Sequence, residues 1–253
     1  MSDKKELKIS NKSDKPDNIV LRDHLLIEKA IKYEKRLPSF MKDYFVYLKG
    51  SVAVSTRAAY LEDIIFFCDY IVSESGLTDK DDIKDLTIED FKNIKSRDIN
   101  LFLGDFCPRY YKEREDHTFV YENNNRALAR KKSSLSTLFK FLYRNEQLPT
   151  NITDGFNPIK LPKPQPDAIK RLDIDEVMIM LEAVESGEGL TDKEKVYWEK
   201  TKLRDKAILA LFVTYGLRLN ELRELNISSF NFSRGEFKIY RKRGKEVLMP
   251  INK

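Results

Sequence analysis

The sequence predicts a mainly α protein in two bodies, with one small β-hairpin near its end. Apolar residues recur at helical spacing over most of the chain. The stretch 148–171 breaks that pattern with Pro149, Pro158, Pro162, Pro164 and Pro166. Two strand-like runs, 237–240 and 247–251, flank the turn sequence RKRGKE around Gly244, which is a hairpin signal.

Each element has its own warrant. Residues 1–18 are polar and lysine-rich without periodicity, and a flexible basic arm is expected there. A first helix is expected over 21–35. Pro38 suits the first turn of the next, which carries Phe40, Met41, Tyr44, Phe45 and Leu48 as far as Gly50. Ser55 or Thr56 is expected to cap a long helix reaching Ser75. Its apolar positions Tyr60, Ile64, Phe67, Cys68 and Ile71 follow the 3.6-residue period, and Gly76 stops it. Thr87 opens a short helical turn, with Asp90 three residues on. Ser96 is expected to cap a helix carrying Ile99, Leu101, Phe102 and Phe106, with Pro108 near its end. Residues 110–121 show no clear period and read as a loop. The clearest helix spans 124–145. Leu128, Leu135, Leu138, Phe139 and Leu142 form its apolar stripe, and Arg126, Arg130, Lys131 and Ser134 are expected on other faces.

Prolines through 148–171 forbid a continuous helix or a central strand. A stiff linker is expected there, between a helical domain at 19–147 and a second domain at 172–253. In the second, Asp173 with Glu176 makes a capping box. Val177, Ile179, Met180 and Leu181 supply that helix's apolar side. A charged stretch follows. Residues 201–215 then form a helix apolar enough to require burial, ended by Gly216.

Composition excludes several classes. The 253 residues are 34% charged with a net charge of +5, a mild excess that by itself assigns no partner. Cys68 and Cys107, the two cysteines, form no CxxC and read as reduced, partly buried thiols of a cytoplasmic protein. His24 and His117 have no metal-ligand spacing, so neither metal nor cofactor is expected. No apolar run reaches the roughly 18 residues of a membrane span, and the charged N-terminus is not a secretion signal.

The stretch 204–251 resembles the first third of the tyrosine recombinase catalytic domain, the family of Xer recombinases and phage integrases. A buried helix leads to Gly216-Leu217-Arg218-Leu219-Asn220-Glu221-Leu222. A short helix and a hairpin follow, with Lys242 placed twenty-four residues after Arg218. Upstream, Ser55-Thr56-Arg57-Ala58-Ala59-Tyr60 and Asn125-Arg126-Ala127-Leu128, the latter leading to Leu135, Leu138, Phe139 and Phe141, resemble two helices of the family's SAM-like core-binding domain. The resemblance covers 38–251.

It implies site-specific DNA breakage and rejoining through a 3′-phosphotyrosyl bond, without metal. Fixed donors must then meet the charge on the phosphorane. Arg218 is implied as one, since a guanidinium fork gives two hydrogen bonds and stays charged. Lys242 is implied as the acid that protonates the departing 5′ oxygen, with Arg243 and Lys245 on the same turn. Double-stranded DNA is the implied partner. Ser55, Thr56 and Arg57 would meet phosphate at a helix N-terminus, and Asn125, Arg126, Arg130 and Lys131 would join them from the 124–145 helix. Arg241, Arg243 and Lys245 would contact DNA from the hairpin. Local sequence also allows plainer roles: Arg218 as a helix cap or a partner of Glu221, Ser55 or Thr56 as a simple N-cap, the 124–145 cations as a wet helix face, and RKRGK as a solvated turn.

The family's second half carries H-x-L-R-H and a late nucleophilic tyrosine. Neither motif occurs, and no tyrosine sits in the expected context. The sequence is therefore expected to be truncated within its catalytic domain, to bind DNA without cutting it, and to leave the 201–215 helix poorly covered. Tetramers on paired sites are expected only of a full-length protein, whose role would be chromosome dimer resolution or mobile-element integration. The alternatives are a naturally short, non-catalytic DNA-binding regulator and, in a different class, a helical protein-interaction module.

Overall fold

The computed structural model describes residues 16–114, 117–163, 171–241 and 245–252. The chain divides into two compact units, one of residues Leu21–Lys163 and one of Met1–Val20 with Pro164–Lys253. Residues 1–15 of the expected arm lie outside the described residues; from Asp17 the chain is already helical.

The first unit is built from helices. In chain order these are α1 (Asp17–Glu34, entering this unit at Leu21), α2 (Lys42–Ser51), α3 (Val54–Ser73), α4 (Ile88–Asn93), α5 (Ser96–Leu101) and α6 (Asn125–Arg144). Its core forms where α3 meets α6. Leu61, Ile64, Phe67, Cys68 and Ile71 from α3 pack with Leu135, Leu138, Phe139 and Leu142 from α6, all essentially inaccessible. The rings interlock: Phe139 lies 6.2 Å from Phe67 edge-to-face and 5.8 Å from Phe91 stacked. Phe102, at the head of a π-helical turn that continues α5, closes on Phe67 at 5.0 Å.

Local chemistry explains the helix ends. The Asn124 side chain accepts from the Ala127 N–H at 3.0 Å and starts α6. At its other end Glu146 takes a φ of 58°, and the Gln147 N–H returns to the Leu142 carbonyl at 3.0 Å. Thr87 and Asp90 form the capping box of α4. The α3 start differs from expectation. Ala53 is its N-cap and makes no side-chain cap bond, so Ser55 and Thr56 sit inside the first turn.

Residues 110–114 and 117–121 are strand rather than the expected loop. They belong to an antiparallel hairpin of β1 (Arg109–Arg114) and β2 (His117–Glu122), in which Tyr110 faces Tyr121. One face of this ribbon packs on the unit: Tyr110 stacks on Tyr121 at 5.2 Å and lies 4.7 Å from Phe66. Tyr111, Phe119 and Val120 are exposed. With apolar residues on both faces and charges between them, the period-2 signal is lost. The chain from 148 to 163 also packs with this unit, because Leu148 and Phe156 are buried in the core.

The second unit carries α7 (Ile174–Ser186), α8 (Asp192–Tyr215), α9 (Leu219–Arg223) and a three-stranded antiparallel sheet. Its strands are β3 (Phe230–Asn231), β4 (Glu236–Arg241) and β5 (Lys245–Pro250), in that order. The charged stretch before 201 is the first half of α8, opened by a Thr191 capping box with Glu194. Helices α7 and α8 pack through Trp198, whose indole N–H donates to the Val184 carbonyl at 2.7 Å. Gly187, at φ 69°, lies under that ring, and a Cβ there would meet it at 2.9 Å. Asn18 is counted with this unit and donates to the Glu224 carbonyl at 3.1 Å.

The second core is small. Leu217, Phe237 and Ile239 are buried, and Leu211, Phe212 and Tyr215 at the end of α8 pack on them. The rest of α8 is not buried, contrary to what its apolar sequence requires, and Leu203 is 79% exposed. Ile174, Ile179 and Val196 are exposed too. The poor cover expected of this helix is thus observed. No helix among the described residues is long and apolar enough to cross a membrane.

Phe139 is fully buried among aromatic neighbours, so its loss would open a large cavity in the first unit. Phe139→Ala should lower its stability by about 3–5 kcal/mol, read as a lower denaturant midpoint at unchanged far-UV dichroism in water.

Candidate active site and nucleic-acid interface

The arginine-centred site sits where α8 ends. Gly216 takes the left-handed conformation (φ 58°), its N–H bonds to the Phe212 carbonyl, and buried Leu217 pins the next residue. Arg218 follows as the N-cap of α9. Its backbone N–H donates to Glu221 Oε2 at 3.0 Å and its Nη1 to Glu221 Oε1 at 2.8 Å. Glu221 is buried, with 5% of its side chain exposed, whereas Arg218 is 74% exposed. A hidden carboxylate thus holds the base of an open guanidinium.

The sheet brings a second cation to the same carboxylate, Arg241 Nε at 3.9 Å from Glu221 Oε1. Burial alone would raise the Glu221 pKa. The two hydrogen bonds from Arg218, with the charges of Arg218 and Arg241, outweigh it and hold the carboxyl below the ordinary glutamate range. Both local readings of Arg218 therefore hold at once: it starts a helix and pairs with Glu221, and most of its surface stays open.

Strands β4 and β5 pair Arg241 with Lys245, and Lys238 pairs with Glu246 at 2.9 Å. Lys245 is exposed at the start of β5. Lys242 and Arg243 lie outside the described residues.

In the first unit the expected contacts separate into surface and interior. Ser55 is exposed, Thr56 half-buried, and the N–H groups of the first α3 turn precede the first helical hydrogen bond, Arg57 to the Ala53 carbonyl. Arg57 itself is buried, and its guanidinium is bound to Glu34. Lys131 is also buried, donating from Nζ to Asp63 Oδ1 at 3.1 Å. Both differ from expectation for one physical reason. Arg57 falls in step with Leu61, Ile64 and Cys68, and Lys131 in step with Leu128, Leu135 and Leu138. Helical spacing therefore turns both inward. Ser134 is buried on the same grounds and bonds back to the Lys131 carbonyl.

Arg126 is exposed. Asn125, also exposed, donates its amide to the Lys160 carbonyl at 2.7 Å. Arg130 is 42% exposed, and its Nη1 donates to Asp63 and to the Ala59 carbonyl. Both anchors lie on α3, so Arg130 bridges α6 to the second and third turns of that helix. Sequence reasoning missed Asp63 and Glu34, the acids that bind these cations. Asp63 carried a signal: it is a charge amid the apolar run Leu61–Cys68. Burial raises its pKa even though Lys131 and Arg130 pull it down. Cys107 is buried as well, which pushes its thiol up to about 12 and leaves it unreactive.

A model of the phage integrase family matches residues 170–253. Tyrosine recombinase XerS of Streptococcus thermophilus is 27% identical over 245 residues, covering 89% of this chain and 67% of the relative. Tyrosine recombinase XerC of Syntrophus aciditrophicus is 27% identical over 209 residues, covering 83% and 57%. The chain is thus similar to tyrosine recombinases, with the family match confined to its second unit. Among solved structures, the XerH site-specific recombinase bound to a palindromic difH substrate matches at 17% identity and a TM-score of 0.44, over 96% of this chain and 60% of that one. The chain thus spans 57–67% of the length of these two recombinase sequences.

The depressed Glu221 carboxyl fixes the sign of a pH effect. Its contribution is present above the ordinary glutamate pKa of 4.5 and is lost as pH falls through its lower folded value. Glu221→Gln should therefore destabilise the second unit by about 1–3 kcal/mol at neutral pH. Unfolding followed from pH 7 downward should show the deficit shrinking once pH drops below 4.5.

Proposed function

We propose that this chain binds duplex DNA for a site-specific tyrosine recombinase and supplies Arg218 and Lys242 to strand cleavage. The carrying observation is the Arg218 guanidinium, 74% exposed yet tied at its base by buried Glu221. Phosphoryl transfer needs such a donor, charged at every working pH and held before the substrate arrives. In this reading a tyrosine oxygen attacks the phosphorus and the 5′ oxygen leaves. Arg218 binds the non-bridging oxygens as charge builds on them. Lys242 delivers a proton to the departing oxygen, and the 3′-phosphotyrosyl bond retains the phosphoester for rejoining by a 5′ hydroxyl.

Duplex binding falls to both units. In the first, Ser55 and Thr56 offer hydroxyls and the unpaired amides of the α3 amino end, with the helix dipole, to phosphate. Asn125, Arg126 and Arg130 line the start of α6. Arg241, Arg243 and Lys245 extend the contact along the hairpin. Arg57 and Lys131, being buried, serve the scaffold instead. Tetramer formation on paired sites belongs to the whole protein.

Two measurements test this reading. Anisotropy of a labelled duplex should show affinity falling steeply with salt. Arg126→Ala should weaken binding alike on all sequences and lower the salt slope by about one. Affinity that stays level from low to high salt would rule out phosphate-led binding. In a recombination-competent protein carrying this chain, Arg218→Ala should cut covalent cleavage of a nicked suicide duplex by about 10²–10³-fold, with duplex affinity little changed. Normal cleavage in that variant would remove Arg218 from the mechanism.

A further inference from the structure

We infer that Asp63 is a positioning residue for DNA binding: it clamps Arg130 by one nitrogen and leaves the rest of the guanidinium fork to take a backbone phosphate. The inference rests on the DNA-binding reading above and adds to it a residue that never touches DNA.

Asp63 lies on α3 with 1% of its side chain exposed, where water cannot solvate a carboxylate. Its two oxygens are shared out. Oδ1 takes the Lys131 ammonium at 3.1 Å, and Oδ2 takes Arg130 Nη1. These two cations have different fates. Lys131 is 10% exposed, stands 4.9 Å from the centre of the Phe66 ring, and is consumed by the interior. Arg130 is 42% exposed.

The geometry of the fork explains the difference. A guanidinium carries five N–H donors. Nη1 has two, and they go to Asp63 and to the Ala59 carbonyl at 3.2 Å. Nη2 and Nε keep theirs for a ligand. The clamp thus fixes the plane of the fork without using the edge that would grip a phosphate. Because the Ala59 carbonyl is one anchor, the open edge is held a turn from Ser55. A free arginine would surrender its rotamer freedom on binding, whereas a clamped one has already done so.

This role makes a prediction opposite to bulk electrostatics. Removing a negative charge should tighten DNA binding if charge alone matters. Removing Asp63 should weaken it if the clamp matters. Asp63→Asn by itself would strand the buried Lys131 ammonium, so the comparison is made in a Lys131→Met background. There, Asp63→Asn should lower affinity for a mixed-sequence duplex about two- to tenfold, the cost of ordering one long side chain on binding. The same change should do nothing further once Arg130→Ala is present. Arg130→Lys, a surface change that keeps the charge, should bind as weakly as Arg130→Ala, because an ammonium drawn to Asp63 is carried inward with all its donors and has no separate edge to present to the phosphate. Unchanged or tighter binding by Asp63→Asn, additive losses with Arg130→Ala, or full affinity in Arg130→Lys would each overturn the clamp while leaving DNA binding intact. No duplex binding by the unaltered chain at low salt would overturn the DNA reading and the clamp with it.

Discussion

A carboxylate largely shut off from water calls for a cation, and among the described residues Glu34, Asp63 and Glu221 decide where several of this chain's basic side chains go. Glu34 holds Arg57 and lies 3.8 Å from Lys49, Asp63 holds Arg130 and Lys131, and Glu221 holds Arg218 with Arg241 nearby. Leaving any of these acids unmatched would cost several kcal/mol, more than one surface ion pair returns. The pairing is therefore dictated by burial rather than by attraction at the surface. What varies is how far each cation is drawn in. Arg57 and Lys131 are swallowed, whereas Arg130 and Arg218 are gripped at one edge and left open at the other.

The two units make this constraint work in different settings. In the first, the α3–α6 crossing is packed by interlocked rings, and Asp63 lies beside it. Its ion pairs therefore inherit a rigid frame. In the second, few side chains are fully buried and much of α8 is open. Rigidity around Arg218 comes instead from local devices: a left-handed Gly216, a buried Leu217, and a capping glutamate that binds both backbone and side chain of one residue. Such devices need only a few neighbouring residues, so they hold where a large core is absent.

Much of this was legible in the sequence. The apolar stripe of α6 from Leu128 to Leu142, the capping residues Asn124, Thr87 and Asp173, and the strands around RKRGKE all follow local rules that act over one or two turns. Arg218 and Glu221 could be paired from their spacing alone. The misreadings share a cause. The β1–β2 hairpin hides its period because Tyr110 and Tyr121 pack inward while Tyr111 and Val120 stay apolar on the outer face. Residue type places Arg57 and Lys131 at the surface, whereas their spacing puts them on the buried stripes. For a long basic side chain, position on the helix outweighs chemistry, since the aliphatic stem can enter a core whenever an acid waits inside.

That ordering of position over chemistry also separates arginine from lysine here. A lysine ends in a single nitrogen, so an interior acid that draws it in takes all three of its donors away from the surface together. An arginine ends in a planar fork whose nitrogens point in fixed, different directions. It can serve an interior acid and an outside phosphate at the same time, with the first contact setting the angle of the second. At Asp63 both cations compete for one carboxylate; the lysine is absorbed and the arginine remains half outside. Beside Glu221 the open residue is again an arginine. A buried acid thus acts as a selector: among the basic residues near it, one built as a fork can be held rigid by the acid and still present an open edge to solvent.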